Sequence, residues 1–194
     1  MSALFEKFRP RTLDDVVAQD EVVRVLRGVE RTTGIAGRAY MVIGPTGSGK
    51  TTFARIIARS IASDFCVTEL DGDALTDKRL RDILRGLYMY GFGDKSGRAV
   101  IVNECHGLTA GVVRALLVAL EEIPSHVAWI FTTTNMGSAK LLDGTMDGTP
   151  LYHRCLPIEL ARRDIAQAGA ERVQRDMVSV GLDGKPLAYY VNLP

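Results

Sequence analysis

Residues 44–51 read Gly-Pro-Thr-Gly-Ser-Gly-Lys-Thr, and no other stretch constrains the fold as tightly. Gly44, Gly49, Lys50 and Thr51 meet the spacing G-x-x-x-x-G-K-[ST] of a loop that wraps a phosphate. Glycines permit positive φ and leave room for backbone N–H groups to turn toward an anion. Gly44, Pro45, Thr46, Gly47, Ser48 and Gly49 are expected to form the cradle, which continues through Lys50 and Thr51 to Thr52. Lys50 would place a charge near the β- and γ-phosphates, and the Thr51 hydroxyl would ligate Mg²⁺. The flanks fit. Tyr40 to Ile43 is a short apolar run suited to a buried strand, and Thr52 to Arg59 has helical spacing. A helix N-terminus would then face the anion. A nucleoside triphosphate and Mg²⁺ are the expected ligands.

Further strand signals lie at 64–70, 99–102, 127–133 and 155–160, and helix signals at 77–87, 110–122 and 161–180. This alternation predicts an α/β fold with a five-stranded parallel sheet covered on both faces. The glycine-containing stretches 91–97 and 137–150 read as loops. Residues 1–160 are expected to form the nucleotide-binding core, and 161–194 a partial helical lid and tail.

Hydrophobic residues make up 46% of the 194 and charged residues 24%, as in a globular chain with a full core. A net charge of +1 excludes strong global attraction to nucleic acid, so any such contact must be local. No run approaches the ~18 apolar residues of a membrane span, and the N-terminus lacks signal-peptide regions. Cys66, Cys105 and Cys155 are widely spaced, which argues against a zinc site or a disulfide framework. They read as small buried hydrophobes, and a cytoplasmic location is expected.

The second buried strand ends Val102-Asn103-Glu104. Nucleotide-hydrolysing proteins with this loop use an acid there to hold Mg²⁺. Asn103 occupies the position where Asp is expected; its amide oxygen is an acceptor without charge, so the metal would be held more weakly. Glu104 reads either as general base for an attacking water or as an acid at a helix start.

Several segments together resemble one family. Phe8-Arg9-Pro10-Arg11-Thr12-Leu13-Asp14-Asp15-Val16-Val17-Ala18-Gln19, Leu116 to Val127 (LLVALEEIPSHV) and Tyr152-His153-Arg154-Cys155 follow the pattern and order of AAA+ sliding-clamp loader subunits. That family includes bacterial tau/gamma subunits, replication factor C small subunits and phage counterparts. The resemblance runs from about Phe5 to Leu160 and implies that the bound nucleotide is ATP and the chain an ATPase acting in DNA replication within a ring or hetero-oligomer of AAA+ subunits. By similarity, Val17 and Ala18 would line the adenine pocket, with Ala18 replacing the usual glycine. Thr134 or Asn135 would be the polar residue that orients the hydrolytic water or contacts the γ-phosphate. Arg154 matches an arginine finger directed at a neighbouring subunit, with His153 where serine is usual.

The resemblance also implies that Lys78 and Arg79 meet primer-template DNA, the alternative being a solvated basic face. It places Leu87 to Phe92 against the sliding clamp, the alternative being packing in the core. The family continues into a fuller lid and a collar, and none of Arg162, Arg163, Arg172 and Arg175 matches its lid arginine. The expectation is a fragment or a reduced form with slow turnover as an isolated chain. Two rivals stand beside it: a non-hydrolysing nucleotide-binding scaffold or sensor, and a small phosphate-loop kinase.

Overall fold

In the computed structural model the described residues are 8–134, 149–160, 165–179, 181, 185, 186, 188 and 189. Five strands, β1 (Arg38–Ile43), β2 (Val67–Asp71), β3 (Arg98–Asn103), β4 (Val127–Thr133) and β5 (Leu156–Glu159), form one sheet. All neighbours pair in parallel, in the order β2-β3-β4-β1-β5. Six helices belong to the described residues. They are α1 (Asp20–Thr32), α2 (Lys50–Ile61), α3 (Asp77–Leu87), α4 (Ala110–Ala119), α5 (Thr149–His153) and α6 (Ile165–Ser179).

The central strands read as continuous apolar runs because both faces are covered. Successive side chains alternate between faces. Met41, Ile43, Val100, Val102, Trp129 and Phe131 pack with Leu80 and Leu87 of α3 and Val112, Val113 and Leu116 of α4. Tyr40, Val42, Ala99, Ile101 and Ile130 face the other way, onto Phe53, Ala54 and Ile57 of α2 and Val22 and Leu26 of α1. The Tyr40 hydroxyl, sealed in this second layer, donates to the Ile35 carbonyl at 2.7 Å, and burial raises its pKa.

Two helix starts follow local chemistry. The Thr76 hydroxyl accepts the Arg79 N–H of α3 at 3.3 Å, and Thr109 accepts from Val112 of α4 at 3.4 Å. Boundaries differ from the sequence expectation in three places. Residues 64–66 form a 3₁₀ turn, so β2 begins only at Val67. The helix expected to reach residue 122 releases at Ala119, well ahead of Pro124. Helix α1 has no counterpart in the sequence expectation; it starts directly after the motif that ends at Gln19. The loop expected at 137–150 lies outside the described residues up to 148, and α5 begins at Thr149.

All three cysteines are free and buried. Burial pushes the Cys105 thiol up to about 12 and raises that of Cys155 too, so both act as packing groups. Helix α6 meets the core through buried Ala170 and through Arg172, whose Nη1 donates to the Asp15 carbonyl at 2.9 Å. No helix among the described residues is long and apolar enough to cross a membrane.

Trp129 is 1% exposed at the centre of the sheet, whereas Val118 is 70% exposed on α4. Trp129→Ala is expected to cost about 3–5 kcal/mol in urea unfolding, and Val118→Ala less than about 0.5 kcal/mol. Equal losses would contradict the assignment of the core.

Candidate nucleotide site

The sheet order brings the site together. β4 lies between β1 and β3, so the ends of these three strands are adjacent. The residues after β1 are the loop 44–49, those at the end of β3 are Asn103 and Glu104, and those ending β4 are Thr132 to Thr134. The loop is pinned at its start: the Gly44 N–H donates to the Thr133 carbonyl at 3.3 Å, while Leu160 N–H donates to Ile43 at 2.7 Å. A Cβ on Gly44 would fall 2.7 Å from Ser48 Oγ and 3.0 Å from the Leu160 carbonyl, so only glycine fits. Gly47 and Gly49 take φ of 80° and 91°, the left-handed region that glycine adopts without penalty.

Gly49 is the N-cap of α2 and offers no side-chain cap, which leaves the first amides of the helix as free donors toward the loop. Ser48 is buried, and its hydroxyl has no hydrogen-bond partner. An unpaired polar group of this kind normally implies a ligand or water. Lys50 is 7% exposed and is held inward by its Nζ, which donates to the Pro45 carbonyl at 3.2 Å. Pro45, Thr46 and Gly47 are exposed along the loop, and Thr52 is half-buried in the first turn of α2.

Thr51 and Asn103 meet. The Thr51 hydroxyl donates to Asn103 Oδ1 at 3.4 Å, and the Thr132 hydroxyl donates to the same oxygen at 3.3 Å. Thr132 Oγ1 in turn accepts the Glu104 N–H at 3.2 Å. On its other side the Asn103 amide donates through Nδ2 to Glu69 Oε1 at 3.0 Å. Register explains this contact. Asn103 pairs with Asp71 and Ile101 with Glu69, and Ile101 points into the layer under α2. Glu69 and Asn103 therefore share the face that α2 covers. Arg55 of α2 completes the set with Nε and Nη2 donating to the two Glu69 oxygens at 2.8 and 3.0 Å. Burial raises the Glu69 carboxyl, but the bonds from Arg55 and Asn103 outweigh it and hold it below the usual range.

Glu104 has φ 47° and ψ 53°, a left-handed conformation that is costly for a residue with a Cβ. Such strain persists where surrounding structure fixes it: the carbonyl of Glu104 packs against Gly72, where a Cβ would stand 2.7 Å away. Its carboxylate is partly exposed and lies 3.4 Å from His106 Nδ1. The helix-start reading holds only for a single 3₁₀ turn, Cys105–Gly107.

Thr134 is half-buried just past β4, and Asn135 lies outside the described residues. Arg154 is not drawn to the loop; its Nη2 pairs with Glu121 Oε1 at 2.8 Å, just beyond α4. A cavity of about 710 Å³ is lined by Ala18, Gln19 and Val22 on one side and Ile158, Glu159 and Leu160 on the other. Val17 is half-buried beside it. Thr132, Glu69 and Arg55 are site residues that the sequence reading does not contain. Their signals are the Thr-Thr-Thr end of β4 and the alternation that turns Glu69 toward α2.

Of the outlying segments, Leu87 is buried in the core, whereas Tyr88, Met89, Tyr90 and Phe92 are 64–80% exposed. The exposed stretch is tethered: His126 Nε2 lies 2.9 Å from the Leu87 carbonyl, and Arg98 Nε donates to Met89 at 2.8 Å. Tyr90 stacks on His126 at 4.1 Å, and Phe92 meets Phe65 at 4.6 Å. Lys78 and Arg79 are exposed at the start of α3.

A parallel sheet with this strand order, a glycine loop on a helix N-terminus and a polar pair at the end of β3 define a phosphate-loop nucleotide-binding fold. Residues 40–143 match the model of the ATPase family associated with various cellular activities (AAA). The chain is 33% identical over 156 residues to DNA polymerase III subunit gamma/tau of Mycobacterium tuberculosis H37Rv, covering 68% of this chain and 27% of that protein. It is 28% identical over 154 residues to the Replication factor C small subunit of Haloarcula marismortui, covering 77% of this chain and 44% of that one. Among solved structures, a single-substitution variant of Thermotoga maritima RuvB superposes with a TM-score of 0.72 at 21% identity, over 95% of this chain and 58% of that chain. A DNA polymerase III gamma subunit-related protein of the same organism gives 0.60 at 16% identity, over 90% and 58%. These two carry the fold alone. The chain belongs to the AAA family of ATPases. Its sequence relatives are the clamp-loader subunits that its motifs resemble, and it spans less than half the length of the gamma/tau and Replication factor C proteins named above.

Ala18 is held at φ 59°, where an L-residue is strained by about 1–2 kcal/mol. Part of that gain is offset by the extra freedom glycine brings to the unfolded chain. Ala18→Gly is therefore expected to stabilise the protein by about 0.5–1 kcal/mol in denaturant titration. A loss of stability would contradict the backbone assignment at this position.

Proposed function

We propose that this chain is an ATP-binding AAA+ subunit of the clamp-loader type whose site hydrolyses ATP slowly until a neighbouring subunit completes it. The observation that carries the reading is the convergence of Thr51 and Asn103 beside a loop with free helix amides and an unpaired buried Ser48 hydroxyl. The triphosphate would lie on the amides of residues 46–51 with Lys50 beside it, and the base in the cavity next to Ala18. Thr51 Oγ1 and Asn103 Oδ1 are hard oxygen donors, which suits Mg²⁺ held jointly by protein, phosphates and water. Bound Mg²⁺ would supply charge neutralisation on the phosphate oxygens.

Glu104 would accept the proton of the attacking water once its side chain swings from His106. Thr134 or Asn135 would orient that water. Arg154, outside its own loop and paired with Glu121, fits a group that acts on the γ-phosphate bound by a neighbour. Residues 1–160 would form the core, with 161–194 as part of a lid. The tethered, exposed Tyr88–Phe92 surface suits a sliding clamp, since aromatics and Met favour protein interfaces. Lys78 and Arg79, exposed on α3, would meet DNA phosphates.

The uncharged Asn103 favours a second reading, a nucleotide-holding scaffold that never hydrolyses. Glu104→Gln separates the two. In the weak-enzyme reading it keeps ATP affinity but lowers turnover about 10²–10⁴-fold, measured with partner AAA+ subunits present. Arg154→Ala leaves the basal rate of the isolated chain unchanged. No turnover in the wild-type assembly, with ATP bound, would leave the scaffold; a chain that fails to bind ATP would contradict both.

A further inference from the structure

The side chain at position 103 is an amide, and an amide has two unlike ends. A carboxylate in its place presents an acceptor whichever way it turns; Asn103 serves a cation only when Oδ1 points to Thr51 and Nδ2 points away. The network around it settles that direction. At one end the Glu104 N–H, which can only donate, reaches Thr132 Oγ1 at 3.2 Å. The Thr132 hydroxyl, its oxygen already accepting one bond, donates its own proton to Asn103 Oδ1 at 3.3 Å. At the other end the Glu69 carboxylate, held by two bonds from Arg55, can only accept, and it takes the Nδ2 proton at 3.0 Å. Turning the amide over would set its oxygen against the Glu69 carboxylate, with no proton between them, and aim its N–H groups at the cation site.

We infer that Glu69, on β2, is a positioning residue for the metal side of the nucleotide site: it locks the Asn103 amide with its oxygen toward Thr51. Glu69 also brings a carboxylate within hydrogen-bond reach of a position whose own side chain is uncharged. The side chain is 26% exposed and that of Arg55 31%, so the pair is partly shielded from solvent. The inference rests on the proposed ATP·Mg²⁺ reading and makes a demand that reading does not. If Glu69 acts through the direction of an amide, its effect must change sign when position 103 no longer has a direction. In Asn103→Asp, Glu69 would face a second carboxylate across about the same gap, and like charges that close oppose one another.

The test is a double-mutant cycle on the full chain. ATP affinity is measured by calorimetry in EDTA and in MgCl₂, and the ratio of the two dissociation constants gives the Mg²⁺ enhancement. Removing a partner that orients a metal ligand typically costs about 10–100-fold, so Glu69→Ala is expected to lower the enhancement about tenfold. Affinity in EDTA should stay close to wild type. In the Asn103→Asp background the same Glu69→Ala change is expected to raise the enhancement. Glu69→Gln, which keeps size and one acceptor oxygen, is expected to fall between wild type and Glu69→Ala, and it serves where Glu69→Ala unfolds. A loss of the same sign and size in both backgrounds means that Glu69 is merely structural and overturns the inference. So does a wild type that binds ATP with no Mg²⁺ enhancement, or with one that neither substitution moves. A wild type that binds no ATP contradicts the nucleotide reading itself, and this inference with it.

Discussion

Three parallel strands, β1, β4 and β3, end side by side; β1 runs into the glycine loop, and β3 and β4 end in polar residues. Everything else at the site is built on that adjacency. A parallel sheet with both faces covered has apolar strands along its length, so its chemistry is confined to the strand ends. The loop after β1 supplies amides and Lys50, β3 supplies Asn103 and Glu104, and β4 contributes Thr132 as the bridge between them. Had β4 paired outside β1, no hydroxyl would link Asn103 to the backbone of Glu104.

The packing beneath this edge is what makes the placement rigid. Side chains of β1, β3 and β4 alternate into two cores, and both are fully sealed at Trp129, Phe131, Ile101 and Ile130. Helix α2 packs on this sheet through Phe53, Ala54 and Ile57, and its first turn holds Lys50 and Thr51 beyond the end of β1. The strained φ of Glu104 and the close approach of Gly72 belong to the same arrangement. The left-handed backbone fixes where the Glu104 side chain leaves the chain, and its carboxylate rests beside His106.

Much of this is legible in the chain. The loop 44–51, the apolar run before it and the helical spacing after it define the centre of the fold, and the five strand signals fall on the five strands observed. The uncharged Asn103 is also visible, because the strand end and the adjoining Glu104 fix its position. What escapes is everything that depends on which strands are neighbours. Glu69 reads as an ordinary polar residue on an edge strand until β2 is set beside β3 and Arg55 reaches across from α2. Thr132 is indistinguishable from Thr134 in the sequence, because spacing cannot tell which hydroxyl meets Asn103. Arg154 is identified by resemblance, but its partner Glu121 comes from a different element, which spacing alone does not bring near.

Thermal unfolding of the full chain, with and without ATP, tests whether ATP is held on the loop 44–51. A ligand that binds only the folded state stabilises it by about 2.7 kcal/mol at roughly a hundred times its dissociation constant. ATP with Mg²⁺ should therefore raise the melting midpoint of the wild-type chain and leave Lys50→Ala unmoved. Equal shifts for both proteins, or none for either, would contradict the placement of ATP on this loop.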